Sequence, residues 1–418
     1  RKMQVTPNQL IARISALIIL ISLSNFVVGQ IITREDSLNA NLIAKDRTTV
    51  ISGYGEARVQ YDLRYQTGEA DLTRNVLFLG HKFSNKISFF SEMELEHGFV
   101  ATNGEENSQA ELSMEQLFLK FNITPNHYFT AGLFIPRMGI INENHLPTTF
   151  NGNDRPFVEQ LVLPSTWREI GIGFYGTSSR IQGFNYSFSV LNGLNSSKFA
   201  MGQGIREGRG LGNKATASNI AVHAAALQYI GNWRIQGSYY FGGSAGLTKR
   251  EADSLQLSYG AFGSPVQMGE INVQYLTRGF TFKALGTWVN AIDAREINRA
   301  YAQNVPDQMA GAYAEAGYNI LHFFPKHAAR TLTVFARYEW MDLDMKIASN
   351  GIENDEYNKQ FLIAGVSYHP VNGVVIKADY VHRTTGERNE ALIVTPFPNA
   401  LPFFTTNDFV NIGVGYSF

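Results

Sequence analysis

Val410-Asn411-Ile412-Gly413-Val414-Gly415-Tyr416-Ser417-Phe418, the last nine residues, alternate without a break. In an extended strand, side chains point to opposite faces with period two. Val410, Ile412, Val414, Tyr416 and Phe418 therefore share one face, and Asn411, Gly413, Gly415 and Ser417 share the other. One face is wholly apolar and ends on an aromatic ring; the other is small and polar. Such a strand suits a wall with lipid outside and a wet or tightly filled space inside. A half-buried edge strand of a soluble sheet would read the same way, so the rest of the chain has to separate the two.

The totals leave both open. The chain has 418 residues and a formal charge of −1, which gives no electrostatic case for nucleic acid as a partner. It has no cysteine, which excludes disulfides, thiolate metal sites and cysteine nucleophiles. Thirty-eight glycines, nineteen tyrosines and twenty-nine phenylalanines point to many strands, tight turns and aromatic girdles. Near the start, Arg1, Lys2 and Arg13 flank an apolar run from Ile14 to Leu23, continued by Phe26-Val27-Val28-Gly29. This reads as an export signal over 1–29, cut between Gly29 and Gln30. A polar lead-in occupies 30–48. No later stretch reaches 18 uninterrupted apolar residues, so no membrane-crossing helix is expected.

Alternation and turn residues place strands near 51–63, 72–83, 86–97, 110–123, 126–135, 167–177, 180–192 and 218–230. Eight more follow near 233–243, 266–278, 279–291, 309–323, 330–343, 358–371, 373–384 and 407–418. The connections alternate in length. Ser84-Asn85, Thr124-Pro125-Asn126, Ser178-Ser179, Gly231-Asn232, Arg278-Gly279 and Val371-Asn372-Gly373 are tight. The intervening ones, 64–71, 98–109, 136–166, 193–217, 244–265, 292–308, 344–357 and 385–406, are long. Short turns at one end and long loops at the other are the pattern of a transmembrane β-barrel. A β-helix would show a short fixed repeat, and paired β-sandwiches would not alternate so regularly. The expected fold is all-β: one 16-stranded antiparallel transmembrane barrel over 49–418.

Residues 126–176 carry the most specific stretch. Gly132-x-Phe134-x-Pro136 closes a strand, a long connection ends near Leu163-Pro164-Ser165, and Arg168-x-x-Gly171-x-x-Phe174 opens the next strand. With Ser52-Gly53-Tyr54 early in the chain and the Phe418 ending, this resembles the phosphate-selective porin O and P family. The resemblance implies a trimeric, sixteen-stranded porin in the outer membrane of a Gram-negative bacterium. It implies a third loop, here 137–166, folded into the barrel as a constriction, with Arg137, Arg155 and Arg168 contacting solute. The aromatic ending similarly resembles the signal that outer-membrane barrels present to their assembly machinery, making Tyr416 and Phe418 its candidate residues. The sequence departs from the phosphate-selective pattern in charge. Arg137, Arg155 and Arg168 face Glu143, Asp154, Glu159 and Glu169, a balanced set where several fixed cations would be needed to strip a phosphate of water.

With the apolar parity facing lipid, the pore lining receives Glu56, Arg58, Glu92, Glu94, Glu96, Lys120, Arg337 and Lys377. These columns set a field across the pore, or pair with arginines such as Arg74 and stiffen the wall. No H-E-x-x-H, G-x-S-x-G, phosphate-cradling or calcium-loop motif is present, so no enzyme and no cofactor are expected. The reading is passive diffusion of small hydrophilic solutes, anions first and phosphate among them, with outer-membrane lipids and the assembly machinery as partners. The rival is an occluded barrel that binds a partner through its long loops. The proline-rich loop with Pro396, Phe397, Pro398, Pro402, Phe403 and Phe404 is apolar enough to plug the barrel or dock.

Overall fold

The structure, a computed structural model, describes residues 48–98, 110–324, 330–392 and 402–418. The expected export signal lies outside the described residues, as does the lead-in apart from residue 48, and so do Pro396, Phe397 and Pro398.

Sixteen strands follow in order. They are β1 (Thr49–Asp62), β2 (Thr67–Lys82), β3 (Ile87–Glu96), β4 (Glu111–Thr124), β5 (His127–Phe134), β6 (Glu169–Thr177), β7 (Phe184–Asn192) and β8 (Ile220–Ile230). They continue as β9 (Trp233–Gly242), β10 (Val266–Leu276), β11 (Phe280–Ala291), β12 (Pro306–Asn319), β13 (Thr331–Ile347), β14 (Asn358–His369), β15 (Val374–Thr385) and β16 (Thr406–Ser417). Each pairs antiparallel with its sequence neighbours, and β1 pairs with β16 to close the barrel. Closure leaves no strand edge, the condition for a sheet to stand in hydrocarbon. No helix among the described residues is long and apolar enough to cross a membrane.

All sixteen expected strands are present, with ends of β2, β7, β12 and β13 displaced by three to five residues. β2 begins at Thr67, which leaves a four-residue turn after β1 in place of the expected loop over 64–71. β7 begins at Phe184 because the Ser178 hydroxyl accepts from the backbone N–H of Ile181 at 3.0 Å, and Gly183 closes the turn at φ +76°.

The alternating apolar face points outward. Ile51, Val59, Leu77, Met93, Ile172 and Val414 are exposed, while Tyr54, Glu92, Glu94 and Arg337 on the opposite parity are buried. At the seam, Gly55 pairs with Tyr416, and the phenol ring lies where a Cβ on Gly55 would stand, 2.8 Å away. Phe418 exchanges backbone hydrogen bonds with Gly53 at 3.0 and 3.2 Å. The glycines of the first strand thus leave room for the aromatic rings that end the last.

The interior departs from a uniformly polar wall. Met268, Leu285, Val289, Met309 and Tyr313 face inward from β10, β11 and β12, and they join a buried cluster with Val158, Val162 and Leu163. These wall residues are apolar because a chain segment packs on them in place of water.

Candidate functional site: the segment inside the barrel

That segment is 135–168, between β5 and β6. Gly132 and Gly171 are directly paired at its entry and exit. A Cβ on Gly132 would lie 2.3 Å from the Leu117 carbonyl oxygen, and one on Gly171 would lie 2.1 Å from that of Val190. Only glycine fits where the strands crowd before the chain turns inward. Gly139 sits at φ +78°, and a Cβ there would stand 2.5 Å from a Glu159 carboxylate oxygen. That oxygen accepts the N–H groups of Ile140 and Ile141, each at 2.8 Å. Glu159 belongs to a single helical turn, α1 (Val158–Leu161), and its other oxygen accepts the Tyr313 hydroxyl at 2.6 Å. Burial pushes the Glu159 carboxyl up to about 7 despite these donors.

Wall residues grip the segment along most of its length. Arg58 of β1 pairs with Asp154. Asp379 of β15 accepts the Asn153 backbone N–H at 2.7 Å, and Glu339 of β13 accepts that of Val158 at 2.9 Å. Arg337 lies between Glu315 (3.2 Å) and Glu339 (2.8 Å) and donates to the carbonyls of Asn151 and Asp154. The Lys377 ammonium stands 3.7 Å from the centre of the Phe150 ring. Arg137 pairs with Glu143 at 2.5 Å, and Glu143 also pairs with Arg234 of β9.

The other expected pore-lining groups gather on β1–β4. Glu56, Glu94 and Glu96 surround Arg74 at 2.8, 3.3 and 3.9 Å. Glu92 accepts from the Gln116 amide at 2.7 Å. The Lys120 ammonium lies 3.7 Å from the centre of the Tyr128 ring. A cavity of about 60 Å³ separates this wall from the segment, lined by Phe78, Phe90, Glu92, Arg137, His145 and Tyr175 among others.

Arg155 and Arg168 differ from Arg137. Both are buried, 5% and 6% exposed, and neither forms an ion pair among the described residues. Arg155 donates to the His145 carbonyl at 3.3 Å, and Arg168 donates to the Ser113 hydroxyl at 2.8 Å. Two arginines from the connection between β7 and β8 join them. Arg206 donates to the Gln160 carbonyl at 2.5 Å, and Arg209 donates to the Arg206 carbonyl at 2.7 Å. They too lack a carboxylate partner among the described residues. Burial, followed by the charges of Arg206 and Arg168, lowers Arg209 to about 9. Burial and then Arg74 lower Arg155. Sequence reasoning passed over Arg206 and Arg209 because the glycines around them read only as a flexible loop. The available signal was the excess of basic residues, Lys198, Arg206, Arg209 and Lys214 against Glu207 alone, in the connection over 193–217.

No family model matches the sequence. A relative from Aquifex aeolicus (strain VF5), described as an uncharacterized protein, is 28% identical over 352 residues, covering 81% of this chain and 77% of that one. Among solved structures, the outer-membrane channel DcaP of Acinetobacter baumannii superposes with a TM-score of 0.54 at 12% identity, covering 88% of this chain and 97% of that one. OmpF of Salmonella typhi, solved with daunomycin, also gives 0.54, at 9% identity and with the same coverage. The motif resemblance to phosphate-selective members is carried no further by these likenesses. What they share with this chain is the fold, the closed sixteen-stranded barrel of outer-membrane porins.

Proposed function

We propose that the chain stands in an outer membrane as a passive channel for small hydrophilic solutes and favours anions. The observation that carries the preference is the group of Arg155, Arg168, Arg206 and Arg209, without carboxylate partners among the described residues. Fixed cations not held in an ion pair raise the local anion concentration and lower the barrier to anion passage. The segment 135–168 is the constriction in this reading, and phosphate is one of the anions it passes. The short turns, the start of β1 and the end of β16 face the periplasm. Tyr416 and Phe418 at the seam are what the assembly machinery reads, and the working unit is a homotrimer, as the motif resemblance implies. The test is single-channel current in planar bilayers under a potassium chloride gradient, followed by added phosphate. An anion-favouring reversal potential supports the reading, and block by phosphate sharpens it; a cation-favouring potential overturns the preference.

A second reading is an occluded barrel that serves as a surface scaffold. It draws on Met138, Ile141, Val158, Val162, Leu163 and Trp167, each 2% exposed or less, which pack the segment like a protein core. Absence of conductance in well-folded protein would favour it.

A further inference from the structure

We propose that Glu92, Glu115 and His145 bind one divalent transition-metal ion, which ties the inner segment to the β3–β4 wall. The site begins with a β-bulge. Glu92 pairs with Gln116 and Met93 with Met114, which leaves Glu115 outside the ladder. Glu115 and Gln116 are consecutive, yet both are buried on the inner face, where plain alternation would turn one outward. Bulges re-aim side chains in this way.

Glu115 is 0% exposed, and one of its carboxylate oxygens, Oε1, has no hydrogen-bond partner. The other, Oε2, accepts the Tyr54 hydroxyl at 2.9 Å and lies 3.7 Å from His145 Nε2. One ligand atom each from Glu92, Glu115 and His145 lies within 4.8 Å of the other two. A buried carboxylate oxygen left without a donor is costly, and a cation is one of the few groups that removes the cost. The charges of Arg155, Arg168 and Arg74 act on the Glu115 carboxylate from a distance, but none of the three donates to Oε1. Arg74 is held by Glu56, Glu94 and Glu96, Arg155 donates to a carbonyl, and Arg168 donates to a hydroxyl and a carbonyl.

Two carboxylates and an imidazole, with no thiolate, suit Zn²⁺, Mn²⁺ or Fe²⁺ better than Ca²⁺ or Mg²⁺. Metal–ligand distances of about 2.0–2.2 Å require the three groups to draw in by roughly 1 Å, a small adjustment for a side chain on a connecting segment. Glu92 and His145 also line the inner cavity, which leaves room for water to complete the coordination. His145 belongs to the segment, and the two glutamates belong to the wall.

The probe is Zn²⁺, titrated by calorimetry into the untagged full-length barrel after treatment with chelator. One site per barrel with micromolar affinity is expected, weakened tenfold or more in Glu115→Gln and in His145→Gln. His223→Gln, at a buried histidine elsewhere in the wall, should bind as the parent does. If Glu115→Gln fails to fold, as judged by circular dichroism, His145→Gln carries the test. No saturable binding of Zn²⁺, or unchanged affinity in His145→Gln, overturns the site. Binding is read without current, so the outcome stands apart from that of the channel reading.

Discussion

Arg337 is 1% exposed and is held by two carboxylates and two carbonyls. Arg155 and Arg168 are almost as buried, yet they donate only to carbonyls and a hydroxyl. Both groups lie in the same barrel and involve the same segment. In the first, the charge is neutralised where it stands, and its geometry fixes where the chain runs. In the second, no carboxylate among the described residues is in ion-pair contact, and the guanidinium groups rest on carbonyl and hydroxyl acceptors. Counting basic residues in a pore therefore says little until each is assigned to one of these groups. Arg137 shows this most directly, since Glu143 claims it.

The comparison breaks most readily at Arg337. Replacing it with methionine leaves Glu315 and Glu339 buried without their cation and frees two carbonyls of the segment. Removing one partner of a buried pair costs about 3–5 kcal/mol. Urea unfolding of Arg337→Met should show a loss of that order, and protease should then reach the segment more readily. A parent-like midpoint would mean that the segment is held by its apolar packing alone.

Next in size is the double variant Arg155→Gln, Arg168→Gln. Neither residue forms an ion pair among the described residues, but both charges act on the buried Glu115 carboxylate, so folding of the double variant is checked first by circular dichroism. Its reversal potential under a salt gradient should move toward cation preference, the two amides removing two fixed positive charges. A folded double variant with unchanged selectivity would take both residues out of the conduction path.

The pH response of the gripped segment sharpens the first half of the comparison. Burial raises Glu159 from 4.5 to about 7, so the folded state keeps a proton that the unfolded chain releases near 4.5. Where the folded state binds more protons, stability falls as pH rises. This contribution is therefore fully present below about pH 4.5 and is lost as pH rises through about 7. The melting temperature of the parent relative to Glu159→Gln should decline across that window; a flat difference would show that the donors from Tyr313, Ile140 and Ile141 keep the carboxylate charged.

The strands were legible because lipid on one side and polar or gripping groups on the other give period two its contrast. Two bulges went unread, although each leaves a break in that period. On β4 the outward residues pass from Leu112 and Met114 to Leu117 and Leu119, a change of parity that marks Glu115 and Gln116. On β2 they pass from Leu72 to Leu77 and Leu79, where the ladder slips opposite Glu56 and Arg58. Contrast fails on β11, where Leu285 and Val289 share the inward parity with Lys283 and Thr287. Their partners come from a segment more than a hundred residues earlier, and no local pattern carries that contact. The division of the arginines was hidden for the same reason, since Arg337 and Arg155 look alike until their neighbours are known.

The smallest effect belongs to Arg209→Gln. Arg209 is half-buried and stands on the connection between β7 and β8, donating to the carbonyls of Arg206 and Ser165. The glutamine amide can keep one of these bonds, so stability should change by no more than about 1 kcal/mol. Burial, with repulsion from Arg206 and Arg168 added, lowers Arg209 to about 9, and the guanidinium still carries its charge through neutral pH. Arg209→Gln should therefore lower an anion-favouring reversal potential slightly, and by the same amount from about pH 6 to pH 8. If parent and variant give the same reversal potential, Arg209 does not act on the solute. The arginines without carboxylate partners would then have to be divided again, into those that face the solute and those that only crowd one another.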